Sequence, residues 1–172
     1  SSIKSSNDTL TFTGGFTGTG LALTVNGTGK TTISSSGINT GSGGSLTKND
    51  SGTLDLLAAS DFTGTTTINS GIVRLGNSSA LGTTAGATTV SSGAALEFSN
   101  ATTMTISEAL TINGTGVGGS GGAIKNAQGN NYQTGAVTLN SSSRIAATSG
   151  NLVLQGGVAG GGQCGRRGAA RA

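Results

Sequence analysis

Ala22-Leu-Thr-Val-Asn-Gly-Thr-Gly29 returns as Ala109-Leu-Thr-Ile-Asn-Gly-Thr-Gly116, with one change, Ile112 for Val25. A chain that repeats a short, β-prone, glycine-punctuated phrase is built from stacked units, not from one irregular core. A second echo joins Leu10–Gly18 to Leu152–Gly160 in the placement of apolar residues and glycines. A third phrase, Ser-Gly-x-apolar-x-apolar, occurs at Ser51–Leu56, Ser70–Leu75 and Ser149–Leu154, with a longer variant at Ser92–Phe98. The steps are 19 residues from Ser51 to Ser70, 22 from Ser70 to Ser92 and 57 from Ser92 to Ser149. A coil of roughly 20 residues per turn is the period of a parallel β-solenoid. An antiparallel sandwich has no reason to reuse a phrase at that interval. The expected fold is all-β: a right-handed parallel β-helix of about eight rungs, its hand taken from the usual hand of parallel crossovers.

Composition supports an ordered all-β chain. Of 172 residues, 33 are Gly, none is Pro, and only 9% are charged. Gly- and Ser-rich chains are often disordered, but here short apolar runs alternate and β-branched residues abound. Apolar partners two apart recur at Leu10/Phe12, Leu54/Leu56, Val73/Leu75, Leu96/Phe98, Leu110/Ile112 and Leu152/Leu154. Their neighbours Thr11, Asp55, Arg74, Glu97, Thr111 and Val153 are then expected to face outward. Gly and Asn should occupy corners, many at positive φ. Gly41–Gly44 and Gly116–Gly122 read as loops bulging from the coil. Proline is absent because each rung must donate its N–H groups to the next.

The net charge of +3 does not indicate nucleic acid. Arg166, Arg167 and Arg171 all lie in the last ten residues, and the other six basic residues balance six acids. Neither the clustered cations nor the stacking aromatics of a phosphate-tracking groove are present. No apolar run approaches a spanning helix. Cys164 is the single cysteine, so no internal disulfide forms. Residues 1–160 read as one repeat segment. Residues 161–172 lack any strand pattern and read as a disordered tail or, the preferred reading, as out-of-frame sequence. Ser1–Asn7 offers no cap, so both ends are expected to fray or self-associate. If the chain is exported, its address lies upstream and it is a fragment.

Leu46-Thr-Lys-Asn-Asp-Ser-Gly-Thr-Leu-Asp-Leu56, followed by Phe62-Thr-Gly-Thr-Thr-Thr-Ile-Asn-Ser-Gly-Ile-Val-Arg-Leu-Gly76, resembles the autotransporter-associated β-strand repeat, also called the passenger-associated transport repeat. Asp50 stands where Gly is commoner in that motif, and Val73 where Leu is commoner. The resemblance implies a right-handed β-helix from the passenger of a type V secreted protein, exported through an outer-membrane barrel to the cell surface. The repeat is associated with passenger transport and carries no catalytic residues. Its implied partners are neighbouring repeats of the parent chain, with an unidentified host-surface or glycan ligand as a further possibility. Sparse aromatics and charges suit a chain threaded unfolded through a pore. One Tyr, four Phe and no Trp cannot build the girdles of a membrane barrel, so the chain is expected to be cargo.

Residue chemistry points to no catalytic, cofactor or metal site. There is no histidine, which excludes Ser-His and Cys-His pairs and leaves zinc without ligands. Gly118–Gly122 lacks the Asp of a calcium-binding solenoid repeat, and neither it nor Gly14–Gly20 continues as a phosphate loop. Asp50, Asp55 and Asp61 form the one carboxylate cluster. A carbohydrate-active enzyme would need them about 5–10 Å apart in a groove; the plainer expectation is solvated acids, with Asp50 and Asp61 capping their own turns. Glu97 and Glu108 read as isolated surface charges. Thr9/Thr11/Thr13, Thr17/Thr19, Thr65/Thr67 and Thr103/Thr105 are the candidates for an adhesive, glycan- or ice-binding face. Their irregular spacing favours plain strand surface unless threonines stack at one rung position.

Overall fold

The computed structural model describes residues 1–119 and 121–160. The sequence from Gly161 onward, including Cys164, Arg166, Arg167 and Arg171, lies outside the described residues. The chain winds as a parallel β-helix of about seven turns with roughly 22-residue spacing. One side is an eight-stranded sheet: Ser2–Lys4, Ala22–Asn26, Ser45–Lys48, Thr66–Ile68, Ala87–Val90, Ala109–Ile112, Val137–Leu139 and Val158–Gly160. A second side has seven strands: Thr9–Phe12, Lys30–Ile33, Thr53–Leu56, Gly71–Leu75, Ala94–Ser99, Ile124–Gln128 and Ile145–Ala147. The third side is broken. Phe16–Thr17 pairs with Ile38–Asn39, and Thr105–Ile106 with Asn131–Gln133 and then Leu152–Leu154. The two intervening turns, residues 57–65 and 76–86, have no strand there.

Each strand pairs in parallel with its counterpart one turn away, and apolar side chains therefore pile into columns. Ile33, Leu56, Leu75 and Phe98 make one such column on the second side. Leu54, Val73, Leu96 and Ile124 make another. All eight are buried, and each such side chain removed from water contributes about 1.5–3 kcal/mol. Corners bring backbones very close: a Cβ on Gly64 would lie 2.3 Å from the Gly44 carbonyl oxygen, and one on Gly86 2.2 Å from that of Gly64. Only glycine allows consecutive turns to nest there.

The octapeptide repeat is structurally true. Its two copies lie on the first side, with Thr24 and Thr111 in one column. The other echoes are less faithful. Ser51–Leu56, Ser70–Leu75 and Ser92–Phe98 enter second-side strands, but Ser149–Leu154 enters the third side. Leu10–Phe12 is likewise on the second side, whereas Leu152–Leu154 is on the third. Three times 19 residues was therefore a coincidence of spacing. The turns also vary in length. Asn69 meets Asn49 across 20 residues, whereas Asn140 meets Asn113 across 27. Much of that surplus sits in the loop ahead of Ile124, which contains the 3-10 turn Val117–Gly119 and was expected to bulge.

Several strands escaped the sequence pattern because polar residues point inward. Ser45–Lys48 turns Lys48 into the column between Val25 and Ile68. Ile124–Gln128 and Asn131–Gln133 bury Asn126, Asn131 and Gln133. Their amides bind backbone carbonyls: Asn126 Nδ2 reaches Ser149 O (2.8 Å) and Gly129 O (2.9 Å), and Gln133 Nε2 reaches Glu108 O (2.7 Å). The first residues also pair, Ser2–Lys4 lying on Thr24–Asn26. Corner asparagines take ordinary φ; among described non-glycine residues, Asp50 alone is left-handed, at φ 55.

Candidate functional site

Three surfaces bring chemistry-bearing side chains together. On the second side, outward residues form a charge column in register: Asp55, Arg74, Glu97 and Lys125. Glu97 receives Arg74 Nε at 2.8 Å and Lys125 Nζ at 3.1 Å. Asp55 instead pairs with Lys30 at 2.7 Å. Glu97 points outward as expected but is not an isolated charge: the two cations cover it and leave it 5% exposed. Burial alone would push its carboxyl up. The hydrogen bonds and charges of Arg74 and Lys125 outweigh that and hold it below the ordinary carboxylate range.

The first side presents a rank of threonines. Thr24, Thr47, Thr67, Thr89, Thr111 and Thr138 stack at one rung position through six successive turns. Beside it runs an amide ladder. Asn49 Nδ2 donates to Asn26 Oδ1 (3.1 Å), Asn69 Nδ2 to Asn49 Oδ1 (2.8 Å), and Asn140 Nδ2 to Asn113 Oδ1 (3.1 Å). Of the threonines singled out from sequence, only Thr67 belongs to this rank. Thr9 and Thr11 lie on the second side, and Thr17 and Thr105 on the third. The missed signal was a small residue, then x-Thr-x, then Asn or Ser, once per turn. It reads Ala22–Asn26, Ser45–Asn49, Thr65–Asn69, Ala87–Ser91, Ala109–Asn113 and Ala136–Asn140.

The corner following this face is clamped by Lys48. Its ammonium donates to the Asn49 carbonyl and, at 2.8 Å, to that of Asp50. Burial pushes the Lys48 pKa down, with Asp50 partly opposing. Asp50 and Asp61 cap backbone one turn away, not their own turns as expected. Gly27 N donates to Asp50 Oδ2, and Gly41 N to Asp61 Oδ1, both at 2.8 Å. The three aspartates make separate contacts: Asp55 is engaged by Lys30, Asp50 and Asp61 cap backbone at Gly27 and Gly41, and Asp61 alone lines the cleft in the third side.

The break in the third side forms a cleft of about 330 Å³ whose walls include Asp61 and Glu108. Sequence reading treated Glu108 as surface. It is 4% exposed because it alternates inward between Ile106 and Leu110. Thr88 Oγ1 donates to Glu108 Oε1 at 2.7 Å, and Oε2 has no partner. Burial pushes this carboxyl up to about 7, against the Thr88 hydrogen bond. Nothing in the bare sequence distinguished Glu108 from a surface acid except its in-phase spacing with Ile106 and Leu110.

Parallel strands, in-register columns and corner ladders define a β-helical repeat protein. Residues 46–75 match the family model described as passenger-associated-transport-repeat, so the chain carries an autotransporter passenger repeat. No curated protein and no solved structure matches the chain. The matched stretch falls on two stacked turns: Leu46 lies against Thr66, Lys48 against Ile68, Leu54 against Val73 and Leu56 against Leu75. Among the described residues no group of three or more metal-binding side chains occurs, and no helix is long and apolar enough to cross a membrane.

Proposed function

We propose that this chain is a non-enzymatic structural segment of an autotransporter passenger, exported across an outer membrane to form a stalk at the cell surface. The supporting observation is that the matched repeat contains both partners of a rung-on-rung interface. An emerging segment of about thirty residues thus holds everything needed to close hydrogen bonds and aliphatic columns between two turns. Later turns add to that template without distant contacts. In this reading the coil is right-handed. Its natural partners are further turns of the parent chain, and its work is to extend and present.

The test inserts the chain between a signal peptide and an outer-membrane barrel and measures protease-accessible passenger on cells. Excising residues 47–66 joins Leu46 to Thr67 in register and removes two-thirds of the motif. Excising residues 89–110 joins Thr88 to Thr111 and removes a turn outside it. The first deletion is expected to lower display several-fold and the second to leave it near the parent level. Equal effects, or no display of the parent, would refute the proposal.

A second reading, an adhesive, glycan- or ice-binding face, draws support from the regular threonine rank. Flat hydroxyl and methyl rows at about 4.8 Å spacing suit an ordered ligand surface. Replacing Thr67 and Thr89 by Lys should then abolish ice-growth inhibition or surface adhesion while leaving the fold intact. The enzyme reading rests on Asp50, Asp55 and Asp61, of which Asp61 alone lines the cleft.

A further inference from the structure

We propose that the cleft in the broken third side binds a neutral, polyhydroxylated ligand, a short saccharide. Three successive turns build it, contributing Ser60 and Asp61, then Ser78 and Thr84, then Ser107 and Glu108. Its volume of about 330 Å³ lies at the lower end of small-ligand sites. The walls carry hydroxyls already fixed as acceptors. Ile38 N donates to Ser60 Oγ at 3.0 Å, and Thr105 N donates to Ser78 Oγ at 3.1 Å. Each hydroxyl therefore keeps its own proton to donate. Asp61 supplies the complementary acceptor at the rim: it is exposed, and Gly41 N donates to one of its oxygens at 2.8 Å, while the Glu108 carboxyl points inward and is closed to a ligand. A sugar hydroxyl both donates and accepts, and so matches a wall that mixes free O–H donors with carboxyl oxygens.

The same wall selects against other ligands. It contains no Lys or Arg, so a phosphate, sulfate or uronic acid meets the Asp61 carboxyl and no countercharge. It contains no aromatic ring either, so stacking contributes nothing. Affinity must come from several hydroxyl contacts and is expected in the millimolar range. The site arises because residues 57–65 and 76–86 leave the strand ladder here. Phe62, Ala80 and Leu81 stay buried behind it, so the floor is packed and the opening is confined to the surface.

The test uses the intact chain with maltotriose and chitotriose as neutral probes and trigalacturonate as the acidic one, followed by saturation-transfer NMR. At least one neutral trisaccharide should bind, with the acidic probe at least tenfold weaker. Thr84→Trp, an exposed wall residue, should occlude the cleft and cut binding at least tenfold. Ser79→Tyr offers the same block from another wall should the first variant fold poorly. Ser142→Trp, at an exposed corner between the first and second sides, should leave binding unchanged. No neutral binding at tens of millimolar, equal binding of trigalacturonate, or binding that survives both cleft blocks in folded protein would overturn the proposal.

Discussion

Replacing Glu108 by Gln should change the pH dependence of stability in a window set by the buried carboxyl. The ordinary glutamate value is 4.5, and Glu108 in the folded chain is raised to about 7. The folded state therefore prefers the protonated acid. Its stability contribution is fully present below about pH 4.5 and is lost as pH rises through about 7. One pKa unit corresponds to about 1.4 kcal/mol, so the whole window carries a ceiling of about 3.5 kcal/mol. Gln keeps an acceptor for Thr88 and cannot ionise. The difference between Glu108→Gln and the parent should be near zero at pH 4.5 and grow to at most about 3.5 kcal/mol in favour of the variant above pH 7. Urea unfolding followed by circular dichroism from pH 4.5 to 8 measures it. Glu97, held low by its cations, contributes with the opposite sign: its stabilisation is present above about pH 4.5 and is lost in more acid solution, outside the window. A difference that stays flat from pH 5 to 8 would refute the reasoning.

Glu97→Gln should cost about 2 kcal/mol in urea unfolding at pH 7. It weakens two charge-assisted hydrogen bonds, while Arg74 and Lys125 partly recover water. Gly64→Ala should destabilise by about 2 kcal/mol or prevent ordered stacking, because backbone lies 2.3 Å from the new Cβ. Gly14→Ala, with nothing within 4 Å and no positive φ, should stay within about 0.5 kcal/mol, and thermal melts of the pair provide the comparison. Asn49→Ala removes an amide that both donates and accepts along its ladder and should cost about 1 kcal/mol. Lys48→Met leaves the Asn49 and Asp50 carbonyls without their donor and should loosen the corner, seen as faster amide exchange at residues 49–52.

The coil was legible from residues whose apolar neighbours alternate, such as Leu54/Leu56 and Leu96/Phe98. Period-2 burial is a local property and needs no knowledge of the partner strand. Strands that bury Lys48, Asn126, Asn131 or Gln133 were not legible, because their inward polar groups break the apolar alternation and are satisfied by corner carbonyls, local ones for Lys48 and Asn131 and ones a full turn away for Asn126 and Gln133. The same limit hid the surfaces. The Glu97 column and the threonine rank are relations between residues 19 to 28 apart, and turn lengths vary enough to defeat a fixed count. Glu108 shows the limit most sharply. Its burial follows from its inward phase with Ile106 and Leu110, which the coil's cross-section sets.

The pairing of each turn only with the one before and the one after fixes how the molecule answers tension. Pulled at its two ends, such a coil has no long-range clasp to break, so it should peel from a terminus one circuit at a time. A circuit of roughly 22 residues, extended at about 3.4 Å per residue, releases on the order of 70 Å of slack. The force trace should be a run of small, nearly equal steps, so a load applied at the tip would be shed gradually without unravelling the whole rod.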